Sequence, residues 1–456
     1  MTRGRMALVV VGAVAAVGAG LWLWTATRVG PEPEVVVEVD RAAVGREAHV
    51  IARFTVPAGG LAGVRLEVVQ GGRSELVAEQ RFPRPGVLAV FRRAGASTTE
   101  LTATVGTSSQ PWLTEGELVL RASADRASGL LRSVRPVVVE RELPVRLRPP
   151  RLELASSQHY VRQGGSGVVV FRVGETASRS GVRAGSFEAQ AFPLPGGATG
   201  DRFALYAVPW NLTVADQVRL FAEDDAGNRA EQPFLDLFKP MPPRTDTVEV
   251  TDAFLARVVP AIASQTPGFD AFGPLLEQYL RINGDLRRAE LERVRLLAGA
   301  SQPAFLWSGA FQQMPNTELK ANFAQTRTYF ADGRVVDTQT HLGLDLASTS
   351  RAPVPAPASG RVVYAGWMSL YGNAVVLDHG YGLLSLCAHL SSVTVEVGQQ
   401  VAQGEVIATS GATGLAGGDH LHLEIFVQGQ SVDPLEWLDA KWIRDNLASK
   451  MQVPGF

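Results

Sequence analysis

Apolar and polar positions change their period several times along the chain, and each change marks a different kind of element. From residue 6 to residue 27 there is no charge, and Val, Ala, Leu, Gly and Trp dominate. At a rise of about 1.5 Å per residue, a helix over this run is long enough for a hydrocarbon core of about 30 Å. Beyond it the period drops to two. Residues 35–40, 49–56, 64–69 and 117–122 alternate as strands do, with turn residues between them, which is the pattern of an antiparallel sandwich. A second such stretch runs from about Arg151 to Pro240 and closes on a hairpin-like segment with its turn at 225–228. After a stiff Pro-rich linker at 240–244, Thr251 and Asp252 open an apolar run through Phe254, Leu255, Val258 and Val259. Asp285 is read as the cap of a helix carrying Leu286, Ala289, Val294 and Leu297.

These elements predict a mainly β chain in five parts. Residues 1–30 form a transmembrane helix or signal segment, 31–148 and 149–240 two immunoglobulin-like β-sandwich modules, and 241–310 a short helical connector. Residues 311–456 form a C-terminal antiparallel β domain. Pro149-Pro150 is the expected joint between the modules. The 46 Gly and 27 Pro of the 456 residues suit short strands and turns better than long helices. With 43 basic and 45 acidic residues the formal charge is -2, and no basic cluster is flanked by aromatics, so no nucleic-acid partner is expected.

Candidate chemistry gathers at the C-terminal end. Five of the 7 histidines follow residue 340. In His341-Leu342-Gly343-Leu344-Asp345-Leu346, alternation on a strand puts His341 and Asp345 on one face and the leucines on the other. In the run from His420 to Val427, His420, His422 and Glu424 share a face by the same rule. Residues two apart on a helix diverge, so both pairs ask for strands. Three N/O ligands with a water in the fourth position make the open arrangement of a catalytic zinc.

The ordered set resembles the lysostaphin-type, or LytM-like, zinc endopeptidases that cut cell-wall peptides. It matches them at Thr340 to Asp345, at Ala388-His389-Leu390-Ser391 and at Gly418 to Glu424, over roughly residues 320 to 437. Glycine-marked turns at 397–404 and 409–414 support it. The resemblance implies one zinc ion per chain held by His341, Asp345 and His422, with His389 and His420 as catalytic histidines beside a metal-activated water. Two departures stand out: Cys387 where the family often has Tyr, and Leu423 where it often has Phe after His-x-His.

Other residues divide between functional and plain readings. Glu424 is either support for His422 or a structural residue. Cys387, the single cysteine, cannot form an intramolecular disulfide. Strand alternation places it on the face of His389, as a thiolate ligand or a packing residue. His379 is read as a hairpin residue, and His49 and His159 as surface residues. Asp224 and Asp225 form a turn or, less simply, a calcium site.

The expected function is cleavage of peptide stems or cross-links in bacterial peptidoglycan. The alternatives are a non-hydrolytic regulator that activates a separate amidase, and an envelope assembly scaffold with protein partners on its β modules. Arg3 and Arg5 before the apolar run, and Trp22 and Trp24 near its end, predict a single-pass inner-membrane protein with its bulk in the periplasm. Secretion after signal cleavage is the rival. The connector is also expected to pack on a sandwich or to sit over the cleft.

Overall fold

A computed structural model describes residues 3–27, 29, 31–57, 60–83, 96–127 and 134–452. The chain divides into two compact units, Met1–Pro150 with Glu223–Arg229, and Arg151–Ala222 with Ala230–Phe456.

The first unit opens with α1 (Arg3–Thr27), whose described side chains at 10–24 are apolar and exposed. Among the described residues no helix is long and apolar enough to cross a membrane. The side chains of residues 3–9 and 25 lie outside the description, so the span expected over residues 6–27 falls partly outside it. Two antiparallel sheets follow. One pairs Glu34–Val39, Ala48–Val56 and Ser97–Val105; the other pairs Arg73–Arg81, Leu61–Gln70, Gly116–Arg126 and Val137–Val145. Alternate residues Val50, Ala52 and Phe54 of the first sheet share a core with Val64, Leu66, Val68, Leu118 and Leu120 of the second, as strand periodicity requires. The likeness to immunoglobulin modules goes no further than this two-sheet architecture.

The second unit begins with a pair of sheets of four strands each, built around Ser166–Val173 with Asp201–Ala207 and Ala177–Ala184 with Val218–Asp224. Val169, Phe171, Ala204 and Tyr206 meet Val182, Leu220 and Ala222 in its core. His159, expected at the surface, is instead buried. Its ring stands edge-on to Phe234 at 5.3 Å, and its Nε2 lies 3.2 Å from Ser156 Oγ. A hydroxyl partner lets an apolar site hold the imidazole, and burial lowers its pKa. Asp224 makes a turn: its carboxylate accepts from the N–H groups of Ala226 and Asn228.

Three helices connect to the C-terminal domain: α2 (Asp252–Gln265), α3 (Leu275–Arg281) and α4 (Arg287–Gly299). Thr251 Oγ1 caps α2 by accepting from Phe254 N. Asp285 is not a cap. It lies in a π-helical turn, Ile282–Leu286, that joins α3 to α4 without interruption.

The C-terminal domain is an eight-stranded antiparallel sheet. Its order is Glu318–Ala321, Leu344–Ala347, Leu421–Val427, Leu383–Leu390, Asn373–Asp378, Gly360–Trp367 and Gln400–Val401, with Gln430–Val432 added on Leu421–Val427. One face carries Leu344, Val375, Cys387, Leu423 and Ile425 into a core shared with Phe203 and Leu205 of the preceding sandwich. The other carries Ala374, Val376, Leu384, Leu386, Ala388 and Phe426 beneath Leu255, Val258, Val259 and Ile262 of α2 and Val294 of α4. The spacing of the buried α2 residues, i, i+3, i+4 and i+7, gives the helix its single apolar stripe. The connector therefore packs on a sheet face of its own domain rather than on a sandwich.

Candidate metal centre

The expectation of one continuous strand through His341 and Asp345 does not hold. His341 ends the strand Arg334–His341 of a separate three-stranded sheet, and Asp345 lies in Leu344–Ala347 of the large sheet. Leu342 and Gly343 form the break. The residues still converge, because Asp345 pairs directly with His422, and His422 with Ala388 on its other side. Gly343 is required here: a Cβ on it would lie 2.7 Å from His422 Cε1 and 2.7 Å from the Leu423 carbonyl.

Strand alternation would turn His389 away from this group. The chain overcomes that with a bulge. Asn373 pairs with Leu390 and Val375 with Cys387, so Ala388 and His389 together oppose Ala374. His389 has φ 61°, a left-handed conformation that costs a non-glycine residue about 1–2 kcal/mol. The bulge swings its ring to 4.9 Å from His420 and 5.8 Å from His422, centroid to centroid. Cys387 consequently faces the opposite side, buried in the apolar core, and burial pushes its thiol pKa up to about 12. The reading that placed Cys387 on the histidine face is corrected.

Three buried donor atoms face one another. His341 Nε2 lies 2.8 Å from Asp345 Oδ1 and 3.1 Å from His422 Nδ1, and His422 Nδ1 lies 2.9 Å from Asp345 Oδ1. Among the described residues these three form a group able to hold a metal ion. Tetrahedral zinc, with bonds of about 2.0–2.1 Å, spaces its ligand atoms by about 3.3 Å, close to this triangle.

The surrounding hydrogen bonds set the donors. His341 Nδ1 donates to the Asn322 carbonyl (2.9 Å), which leaves a bare lone pair on Nε2. His422 turns Nε2 towards Glu424 Oε2 (3.4 Å) and Nδ1 inward. Two imidazole lone pairs 3.1 Å apart repel unless a cation or a proton lies between them, so the donor set fits a cation. Arg327 Nη2 donates to Asp345 Oδ2 (2.8 Å) and leaves Oδ1 for the triangle.

Titration follows these contacts. Burial pushes the Asp345 carboxyl up, but its close contacts with His341, His420 and His422 outweigh it and hold it well below the usual range. Burial alone would lower His422, yet Asp345 and Glu424 raise it to about 9. Burial, joined by the neighbouring His420 and His422, holds His389 well below the ordinary histidine value.

His420 stands just outside the triangle, with Nε2 3.5 Å from Asp345 Oδ1. His379 takes no part. It is a buried turn residue whose Nδ1 donates to the Ser359 carbonyl, and burial lowers its pKa to about 4. His49 is exposed. Glu424 is fully buried and accepts from Tyr371 Oη (2.9 Å) and Ser431 Oγ (2.6 Å), so it both supports His422 and belongs to the core. Sequence reasoning missed Arg327, Tyr371 and Ser431, because each reaches the site from a strand or turn with no metal spacing. Asp419, adjacent to His420, was visible but given no role; it accepts from Ser410 Oγ (2.6 Å) and Arg351 N (2.8 Å).

Residues 339–434, which contain His341, Asp345, His389, His420 and His422, match the model of Peptidase family M23. The chain is 42% identical over 96 residues to the murein hydrolase activator EnvC of Escherichia coli (strain K12), covering 21% of this chain and 23% of that protein. It is 42% identical over 95 residues to the DD-carboxypeptidase/endopeptidase Mpg of Neisseria meningitidis serogroup B (strain ATCC 13091 / M2091), covering 21% and 22%. The chain thus spans less than a quarter of the length of these relatives. The catalytic domain of the antimicrobial peptidase lysostaphin from Staphylococcus simulans aligns with 32% of this chain and 96% of its own, at 26% identity and a TM-score of 0.21.

Proposed function

The chain carries a peptidase family M23 domain, and from that premise we propose that it is a zinc-dependent endopeptidase of bacterial peptidoglycan, cutting peptide stems or cross-links. One observation carries the reading: the domain keeps three converging donors and, beside them, two histidines with free nitrogens. A zinc ion held by His341 Nε2, Asp345 Oδ1 and His422 Nδ1 would lower the pKa of water from about 15.7 towards about 7. His389 and His420 carry the proton traffic. Each has Nδ1 donated to a backbone carbonyl, so each Nε2 is free to take a proton and return it to the departing amine. Arg327 and Glu424 hold Asp345 and His422 in place while this happens.

A second reading draws on a relative. EnvC is named a murein hydrolase activator, and an intact fold without hydrolysis would suit such a regulator. The complete set of five residues favours the enzyme. Incubating the full chain with purified peptidoglycan, with and without a chelator, separates them: new amino termini that cease on chelation support hydrolysis, and binding without release supports regulation.

The same proposal places the protein at the cell envelope. Arg3 and Arg5 ahead of the apolar run that begins at residue 6, and the exposed apolar side chains of α1 at 10–24, suit an inner-membrane anchor with the domains in the periplasm. The β-sandwich modules are the natural surfaces for envelope protein partners. Sequencing the mature N-terminus tests the anchor; a start beyond residue 20 defeats it.

A further inference from the structure

The orientation of both histidines outside the donor triangle is set by one loop. His389 Nδ1 donates to the Thr413 carbonyl and His420 Nδ1 to the Gly418 carbonyl, each at 2.8 Å. A backbone carbonyl only accepts, so both Nδ1 atoms carry the proton and both Nε2 atoms are bare. The two carbonyls belong to the same segment, residues 410–419.

That segment is tied down from neighbouring elements. Thr413 Oγ1 donates to the Leu390 carbonyl (2.9 Å), and Leu415 N donates to the Leu370 carbonyl (2.8 Å). Leu370 sits in the 3-10 turn Ser369–Tyr371, whose Ser369 Oγ donates to Glu290 of α4 (2.8 Å). Leu415 packs with the apolar stripe of α2. Between Leu415 and Gly418 the tie comes from α2 itself: Arg257 Nη2 donates to the Ala416 carbonyl at 2.9 Å. Gly417 and Gly418 have open space where a side chain would be, so no packing holds them. Two successive glycines are the most freely rotating backbone a loop can have. The Arg257 bond is thus the last anchor on the N-terminal side of the carbonyl that orients His420; on its C-terminal side Asp419 is held by Ser410 and Arg351.

We propose that Arg257 is a positioning residue for His420, so that the connector helix α2 is a working part of the site rather than a cover over it. This rests on the proposed role of the two histidines in proton transfer. Arg257 is solvent-exposed, its guanidinium lies 5.5 Å from the centre of the Phe254 ring, and it contributes no buried side chain to the core.

The test is R257A in the full chain, loaded with zinc alone and labelled with nitrogen-15 at histidine. Wild type is expected to show single Nδ1–H tautomers for His389 and His420, assigned with H389A and H420A. R257A should keep its zinc and its melting temperature, while the His420 signals move towards a mixture of tautomers. Where hydrolysis is measured, kcat should fall about tenfold with KM unchanged, and R257K should recover part of it. Unchanged tautomers in R257A overturn the proposal, and so does loss of zinc, which would mean a merely structural role. If wild type hydrolyses nothing, the enzymatic reading fails while the tautomer comparison still decides this one.

Discussion

Cys387 and His389 lie two positions apart on one strand and face opposite sides of the sheet, because His389 adopts φ 61° in a bulge. The thiol packs in the apolar core away from the donor triangle. C387A should therefore bind zinc with unchanged stoichiometry and lose only about 1 kcal/mol of stability, the scale of a small core truncation. Metal analysis of the purified variant checks this; zinc loss would return the sulfur to the site.

Gly343 lies under the His422 ring with no room for a methyl group. The G343A variant should push His422 out of line with Asp345 and weaken zinc binding at least tenfold, roughly the scale of disturbed ligand geometry. A competition titration against a chromophoric chelator gives the affinity. Wild-type affinity in G343A would mean the ring moves freely, contrary to its close contact.

Arg327 and Asp345 meet through Oδ2, which leaves Oδ1 as the inward oxygen. Removing the guanidinium in R327A should lower zinc affinity by about 10–100-fold, as for other groups that orient a ligand. X-ray absorption at the zinc edge should also report a changed carboxylate mode. Lysine, lacking the planar fork, should rescue only in part.

Glu436 gives the clearest pH signature away from the metal. Its buried carboxyl accepts from Ser166 N (2.8 Å), yet burial, the larger influence, raises its pKa from 4.5 to about 8. A carboxyl whose folded pKa is raised binds its proton more tightly when folded. Its stabilising contribution is thus complete below about pH 4.5 and is lost as pH rises towards 8. E436Q, which cannot ionise, should remove that part of the decline, worth a few kcal/mol in order of magnitude. Melting curves of both proteins from pH 5 to 9 test it; parallel curves would contradict it.

That His341, Asp345, His389, His420 and His422 would come together was legible in the sequence, because metal-type spacing and alternation are local signals. Alternation failed where backbone departed from a regular strand: at the Leu342–Gly343 break, and at His389, whose left-handed conformation no hydrophobic pattern announces. It also missed burial that depends on tertiary neighbours, as for His159 beneath Phe234. Arg327, Tyr371 and Arg257 were invisible for a related reason: each reaches the site across the fold, and a single residue carries no period. The connector's apolar run was readable, but which face it covers is decided by Val376, Leu384 and Leu386, more than a hundred residues away.

Hydrolysis at this centre is tested by comparing wild type with H389A and H420A on purified peptidoglycan, each with its zinc content measured beforehand. One zinc per chain is expected in all three. New amino termini should be released by wild type only, with losses of at least about 100-fold in the variants, the scale of removing a proton-transfer group. Wild-type protein that carries zinc and binds the polymer, yet releases no amino termini, would contradict hydrolysis at this centre.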